Sequence, residues 1–451
     1  MALVRVTRTF QVGAAALAAA TLVGLAASPA SAETDPGRVS GWLSDTTIGA
    51  AGAPGRTAAL DLSSSGATGP RVVFDLNGLA GVATAAFPDW CVTATAQVTC
   101  PMPPTATPDE FGTLNGTVPV VLRAVPGAAD GAAGTIGYTV LADGIDGEAQ
   151  QATVSVHAGP DAVSLVNEYV DDVDTGDTLD MQVALTSAGN VAASGIRLTF
   201  RFPVGLEPAA YRNCRYGAGG QLSTIVVCAI PGTFSPGLSY QVPGGFATTV
   251  GPAAIGDKRI VQTVEPATTA GPPPAGVVLE RRPADRTLRL RQVGAAVDVI
   301  SAEHQYPSGQ YYLRDIPGAF DVVALGAAAT GSVGDTVTVR VGFRNDGPGV
   351  PDGTISGGDP GQFAFVPPAG TVVANWPTGC SSMGGEDGFE GPVTWYCTKP
   401  GGVFAAGETF LVGFDLRIDG PLGAPGEVRI PYSYPRVDDD PTNDSAPVTI
   451  S

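Results

Sequence analysis

From Glu33 onward the chain alternates apolar and polar residues with period two. The clearest run is Thr178-Leu179-Asp180-Met181-Gln182-Val183-Ala184-Leu185, and Thr336-Val337-Thr338-Val339-Arg340-Val341-Gly342-Phe343 is its twin. Such alternation predicts strands with one buried face. Both runs follow Gly-Asp-Thr, at Gly176 and Gly334, which marks them as one position of a repeat. A turn rich in Gly and Asn comes next (Ala188-Gly189-Asn190; Asn345-Asp346-Gly347-Pro348), then a strand ending Phe200-Arg201-Phe202 or Phe363-Ala364-Phe365. Gly116, Gly237 and Gly407 read as turn glycines ahead of further alternation, as in Phe410 to Ile418. No long stretch has helical spacing. Short strands at regular intervals with Gly/Pro turns predict an all-β fold of two-sheet sandwiches.

The repeat has three copies. In the fullest, Phe363 to Phe365 precede the turn Pro367-Pro368-Ala369-Gly370, then Trp376, Cys380 and Cys397. Phe200 to Gly205 lead to Cys214 and Cys228, and Val72 to Phe74 lead to Gly81, Trp90, Cys91 and Cys100. Six thiols admit fifteen pairings, but one pair per copy favours Cys91–Cys100, Cys214–Cys228 and Cys380–Cys397. Each staple would be worth about 2–3 kcal/mol in an oxidising compartment. The rival reading is metal ligation, against which stand the absence of Cys-x-x-Cys and of nearby histidines. Trp90 and Trp376 are expected in the core, against the disulfides.

The modules read as 33–159, 160–296 and 319–451, with 297–318 as a linker or extra strands. The second carries two arginine-rich stretches expected as strands, Glu280-Arg281-Arg282 and Leu288 to Arg291.

Composition narrows the setting. The 451 residues carry a net charge of −19 with only 15% charged residues, and Lys258 and Lys399 are the lysines. Nucleic acid needs clustered cations, so it is excluded as a partner. Residues 1–32 read as a signal peptide: Arg5 and Arg8, an apolar run from Val12 to Leu25, then Ala30-Ser31-Ala32 as cleavage site. No later run reaches the roughly twenty apolar residues of a membrane helix. A secreted protein is expected, released or held on a surface by non-covalent contacts.

Candidate chemistry is sparse. His157 and His304 are the histidines, and neither stands near a Gly-x-Ser-x-Gly elbow. No phosphate loop or other cofactor signal is present. Acidic runs occur at Asp171, Asp172, Asp174, Asp177 and Asp180, and at Asp438, Asp439, Asp440 and Asp444. Calcium favours such loops, yet the spacing fits no twelve-residue calcium loop, and both runs sit where a sandwich turns. Tyr306, Tyr311 and Tyr312 suit a contact loop, or an edge strand packed on a neighbouring module.

Several of these motifs resemble a known repeat. Gly334-Asp335-Thr336-Val337, Asn345 to Pro348, Pro367 to Gly370, the Trp376/Cys380…Cys397 set and Asp440 to Ala446 look like the immunoglobulin-like "conserved repeat" domain of exported and cell-wall bacterial proteins, especially actinobacterial ones. The likeness is fullest in module three, thinner in module two and reduced in module one to Phe74–Cys100 and Gly116. It implies a sandwich used as stalk or interaction module, with no catalytic, cofactor or metal residues to carry over. Members often end in a wall anchor, and none is expected here. The expectation is a non-enzymatic structural or adhesive protein whose partner is an unidentified extracellular protein or cell-envelope polymer. A calcium-dependent carbohydrate- or protein-binding protein is the alternative, and a secreted hydrolase the remote one.

Overall fold

Gly176 and Gly334 each adopt a left-handed φ, +98° and +99°, where a side chain would be strained. Their amides donate to Val250 O and Ile418 O at 2.7 and 2.8 Å, so each Gly-Asp-Thr turn is pinned to a neighbouring strand. The computed structural model describes residues 37–352, 361–384, 393–431 and 439–451. The signal-peptide reading of residues 1–32 and Asp438 lie outside them. The fold is all-β, and the helical elements among the described residues are 3-10 turns at Asn77–Leu79, Ala302–His304 and Pro441–Asn443.

Three six-stranded sheets share one strand order. The first runs Thr46–Gly49, Ala149–His157, Ala133–Leu141, Arg71–Asp75, Gln97–Pro101, Val92–Ala94. In the second the order is Asn167–Val170, Ser308–Ile316, Gly256–Pro266, Ala193–Phe202, Thr224–Phe234, Cys214–Ala218. The third has Ala327–Ala329, Ser445–Ile450, Gly426–Arg429, Gln362–Val366, Thr394–Thr398, Cys380–Met383. In each, the first edge strand lies parallel to its neighbour. At the opposite edge lies the cysteine hairpin, with disulfides Cys91–Cys100, Cys214–Cys228 and Cys380–Cys397. Ser308–Ile316, within the segment read as linker or extra strands, closes the second sheet as Ala149–His157 and Ser445–Ile450 close the others.

Each six-stranded sheet buries one face against a second layer. In the first region that layer is Arg38–Leu43, Gly55–Ser65, Leu114–Ala124 and Ala83–Ala86, enclosing Leu60, Phe74, Val120, Ile136 and Val154. In the third it is Val322–Leu325, Thr336–Asn345, Thr409–Ile418 and Thr371–Asn375, enclosing Phe343, Phe363, Phe365 and Phe414. In the second the layer splits into two smaller sheets over Phe200, Phe202, Tyr211 and Phe246.

That split overturns one expectation. Thr178 to Leu185 is two strands, Thr178–Met181 and Ala184–Ser187, whereas its twin is continuous as Thr336–Asn345. Val183, Ala184 and Leu185 are all buried, so alternation fails there. A few residues on, Ala188 belongs to a small buried cluster with Val163 and Ile300. Gly116 is likewise no turn residue: it lies inside Leu114–Ala124, and the turn falls at Gly112 with φ +78°. The arginine-rich stretches are not sheet strands over most of their length. Glu280 makes a single bridge to Tyr216, and Arg291–Gln292 a two-residue strand. Between them Arg282 lies over the Tyr216 ring at 4.4 Å and Arg286 over Tyr211 at 5.2 Å, strapping the segment across the sandwich by cation–π contact.

Candidate functional site

The most constrained chemistry lies where the three regions meet. Strand Gly256–Pro266 points Ile260, Gln262 and Val264 inward, and Lys258 falls on the same phase. Lys258 is 0% exposed. Its ammonium donates to Val350 O at 3.1 Å and stands 4.0 Å from the buried Asp352 carboxylate. Loss of water lowers its pKa to about 8, and the attraction of Asp352 opposes that only in part. Around it, Val350 N donates to Ala253 O at 3.1 Å, Ala254 and Val350 form a parallel bridge, and Ile255 joins the core of the third region.

The other meeting point is built differently. Val299–Ile300 pairs in parallel with Gly55 and Arg56, adding a strand from the second region's chain to the first region's sheet. Arg56 is buried, donates to Gln305 O at 2.7 Å and forms an ion pair with Asp161. Arg123 Nη2 donates to Asp298 O at 2.7 Å beside it. Lys399, the second lysine, is also buried, 3.0 Å from Glu408 and donating to Val403 O at 2.9 Å.

The residues singled out in the sequence do not converge on one site. His157 faces Asp130 at 3.6 Å with both side chains at least half exposed. His304 Nδ1 lies 2.9 Å from Ser301 Oγ within a single exposed 3-10 turn, a local contact rather than an oriented base. Among the acids, Asp171 pairs with Arg314 at 2.7 Å. Asp177 accepts from Asp174 N at 2.8 Å, and Asp335 does the same for Ser332 N at 2.9 Å without an acidic run around it. That match identifies Asp177 as a turn cap. Asp439 accepts from Phe320 N and Asp440 from Thr442 N, at 2.9 and 3.2 Å. Among the described residues no three His, Cys, Asp or Glu side chains gather as a metal set.

Tyr311 is core, and burial pushes its hydroxyl above the ordinary range. Tyr312 stacks on Tyr169 at 4.8 Å, and Tyr306 is exposed. Trp376 departs from expectation: it is 53% exposed and leans on Trp395, 5.1 Å away, which is the buried indole of that region. Trp90 packs partly buried against the first core.

The sequence reading attaches no role to Lys258, Arg56 or Trp42. Lys258 had a legible signal, a lysine on the apolar phase of a strand. Trp42 had the reverse, an aromatic on the polar phase of Arg38–Leu43, where it is 65% exposed. An open cleft of about 680 Å³ carries Arg197, Arg212, Arg215 and Arg281. Arg197 is spent on Glu265 at 2.6 Å and Arg212 lies 3.7 Å from Asp285.

No protein-family model matches the chain and no curated protein does, so the resemblance drawn above rests on the quoted residues alone. Three solved structures illustrate how distant the structural likenesses are. Dpr2 Ig1-Ig2 in complex with DIP-Theta Ig1-Ig3 aligns over 92% of this chain and 100% of that one, at 11% identity and a TM-score of 0.23. A putative membrane anchored protein from Corynebacterium diphtheriae aligns over 91% of each chain, at 11% identity and 0.18. The Enterococcus faecalis MSCRAMM ACE, described as binding its ligands by the collagen Hug model, aligns over 63% of this chain and 96% of its own, at 7% identity and 0.16. Scores this low carry no argument about role. Among the described residues no helix is long and apolar enough to cross a membrane.

Proposed function

We propose that the protein is an exported, non-enzymatic spacer of the cell exterior. Three immunoglobulin-like modules, residues 33–159, 160–318 and 319–451, are locked end to end and present loops and edge strands to an extracellular protein or cell-envelope polymer. One observation carries this reading: Lys258 and Asp352 are sealed between the second and third modules, and Ile255 of one sits in the core of the other. Flexibly linked domains leave polar, solvated contacts. A buried charge pair and a shared core are lost if the junction opens, so the modules move as one body. The strand Val299–Ile300 does the same work at the first junction. The three disulfides and the second module's end strand, Ser308–Ile316, support the division and an oxidising location.

Small-angle X-ray scattering on the secreted chain tests the reading. One rigid arrangement of the modules fits the curve if the junctions are locked. A curve that demands a broad set of inter-module angles defeats the spacer proposal.

A further inference from the structure

We propose that the outer face of the sheet Arg38–Leu43, Gly55–Ser65, Leu114–Ala124 binds a neutral glycan chain. The register places six side chains in two rows on that face. Trp42 lies opposite Asp61, which lies opposite Thr117. Ser40, Ser63 and Asn115 form the adjacent row. Rows two residues apart stand about 7 Å from each other, and three strands span about 10 Å, a footprint on the scale of a disaccharide. The recess over these residues is open and shallow, about 510 Å³.

Trp42 anchors the site. On its own face it is flanked two positions away by Ser40 and Ser44, and the residue is 65% exposed, so much of the ring surface stays bare. The indole N–H donates to Ser44 Oγ at 3.1 Å, which fixes the ring before any ligand arrives. Trp376 rests against Trp395, whereas Trp42 stacks on no ring among the described aromatic pairs. A rigid aromatic surface with two side-chain torsions binds at low entropic cost. A pyranose ring offers what fits: an apolar C–H face for the indole and a rim of hydroxyls for the groups around it. Serine, threonine and asparagine both donate and accept, and the Asp61 carboxylate accepts more than one hydroxyl while holding Thr117 Oγ1 at 3.1 Å.

Charge selects the class of glycan. Asp61 is the acid within the two rows and Asp109 adds a second carboxylate, accepting from Asn115 Nδ2 at 3.5 Å. The cations of this face, Arg38 opposite Ser65 and Arg123, which donates to Asp298 O, stand toward its ends. An anionic polymer would meet Asp61 beside the stacking surface and a chain with net charge −19 behind it. A protein partner is less well served, because one aromatic ringed by hydroxyls provides no dry apolar centre.

The test uses the secreted chain and defined probes: maltohexaose, cellohexaose and chitohexaose as neutral oligomers, hexagalacturonate as the anionic one. Tryptophan ¹⁵N-indole resonances are followed during titration. Saturable binding of at least one neutral oligomer is expected, moving the Trp42 indole signal and leaving that of the buried Trp395 in place. Trp42→Ala should weaken binding about tenfold or more, and Asp61→Asn should weaken it by a smaller factor. Trp376→Ala should bind as the parent does. Trp42 is exposed, so its variant should keep the parent melting curve. Silence from all three neutral oligomers, unchanged affinity in Trp42→Ala, or tighter binding of hexagalacturonate would each overturn the proposal. The spacer reading stands or falls separately, on the scattering curve.

Discussion

The two junctions solve one problem with different cations. At the first, Arg56 reaches a carboxylate that is still 32% exposed, and the backbone pairing at Val299–Ile300 does the joining. At the second, Lys258 and Asp352 are 0% and 3% exposed, and apolar packing through Ile255 surrounds them. Guanidinium stays charged throughout the accessible pH range, and its planar fork serves two acceptors at once. An ammonium is a point charge that gives up its proton when water is withdrawn. The first junction therefore resembles a clasp on a surface, and the second a core that happens to contain a charge.

The largest test of this contrast is Lys258→Ala. It leaves the Asp352 carboxylate buried without its lysine and opens a cavity, so a loss of about 3–5 kcal/mol is expected in denaturant unfolding of the third region. A loss below about 1 kcal/mol would show that water already reaches the pair. Next comes pH. Lys258 titrates near 8 when folded and at 10.5 otherwise. Between those values the unfolded chain keeps a proton that the native chain has lost, so stability rises with pH across that window and is flat in this respect below it. The gain approaches about 3 kcal/mol by pH 10.5. Melts of Lys258→Met should lack this slope, and a slope that persists there would assign it to another group.

Much of this architecture was legible beforehand, and the exceptions share a cause. Period-two runs predict the strands and neighbouring cysteines the hairpin disulfides, because both are local signals. The run from Thr178 reads as one strand, but Val183, Ala184 and Leu185 are buried in succession within the second region's core, a tertiary effect that local alternation does not carry. Gly116 shows a related failure: a glycine that interrupts alternation reads as a turn, yet Gly112 four residues earlier carries the positive φ. Trp376 reads as core because it precedes a cysteine, but Trp395, facing Ser382 across the hairpin, takes that place. The junctions were the least visible part. Nothing adjacent to Arg56 names Asp161 as its partner, while Lys258 on the inward phase of its strand is itself a local signal.

Arg56 gives the smaller effects. Arg56→Ala removes the donor to Gln305 O and frees Asp161 to turn to solvent, so a loss of about 1–3 kcal/mol is expected for the first region. Restoring the charge alone should recover only part of it. In Arg56→Lys one ammonium must choose between the Gln305 carbonyl and the Asp161 carboxylate, which the guanidinium meets with separate nitrogens. A residual loss of about 1 kcal/mol against the parent follows, read from paired denaturant melts. Full recovery would mean that charge alone matters at this junction and that the guanidinium fork adds nothing to the clasp.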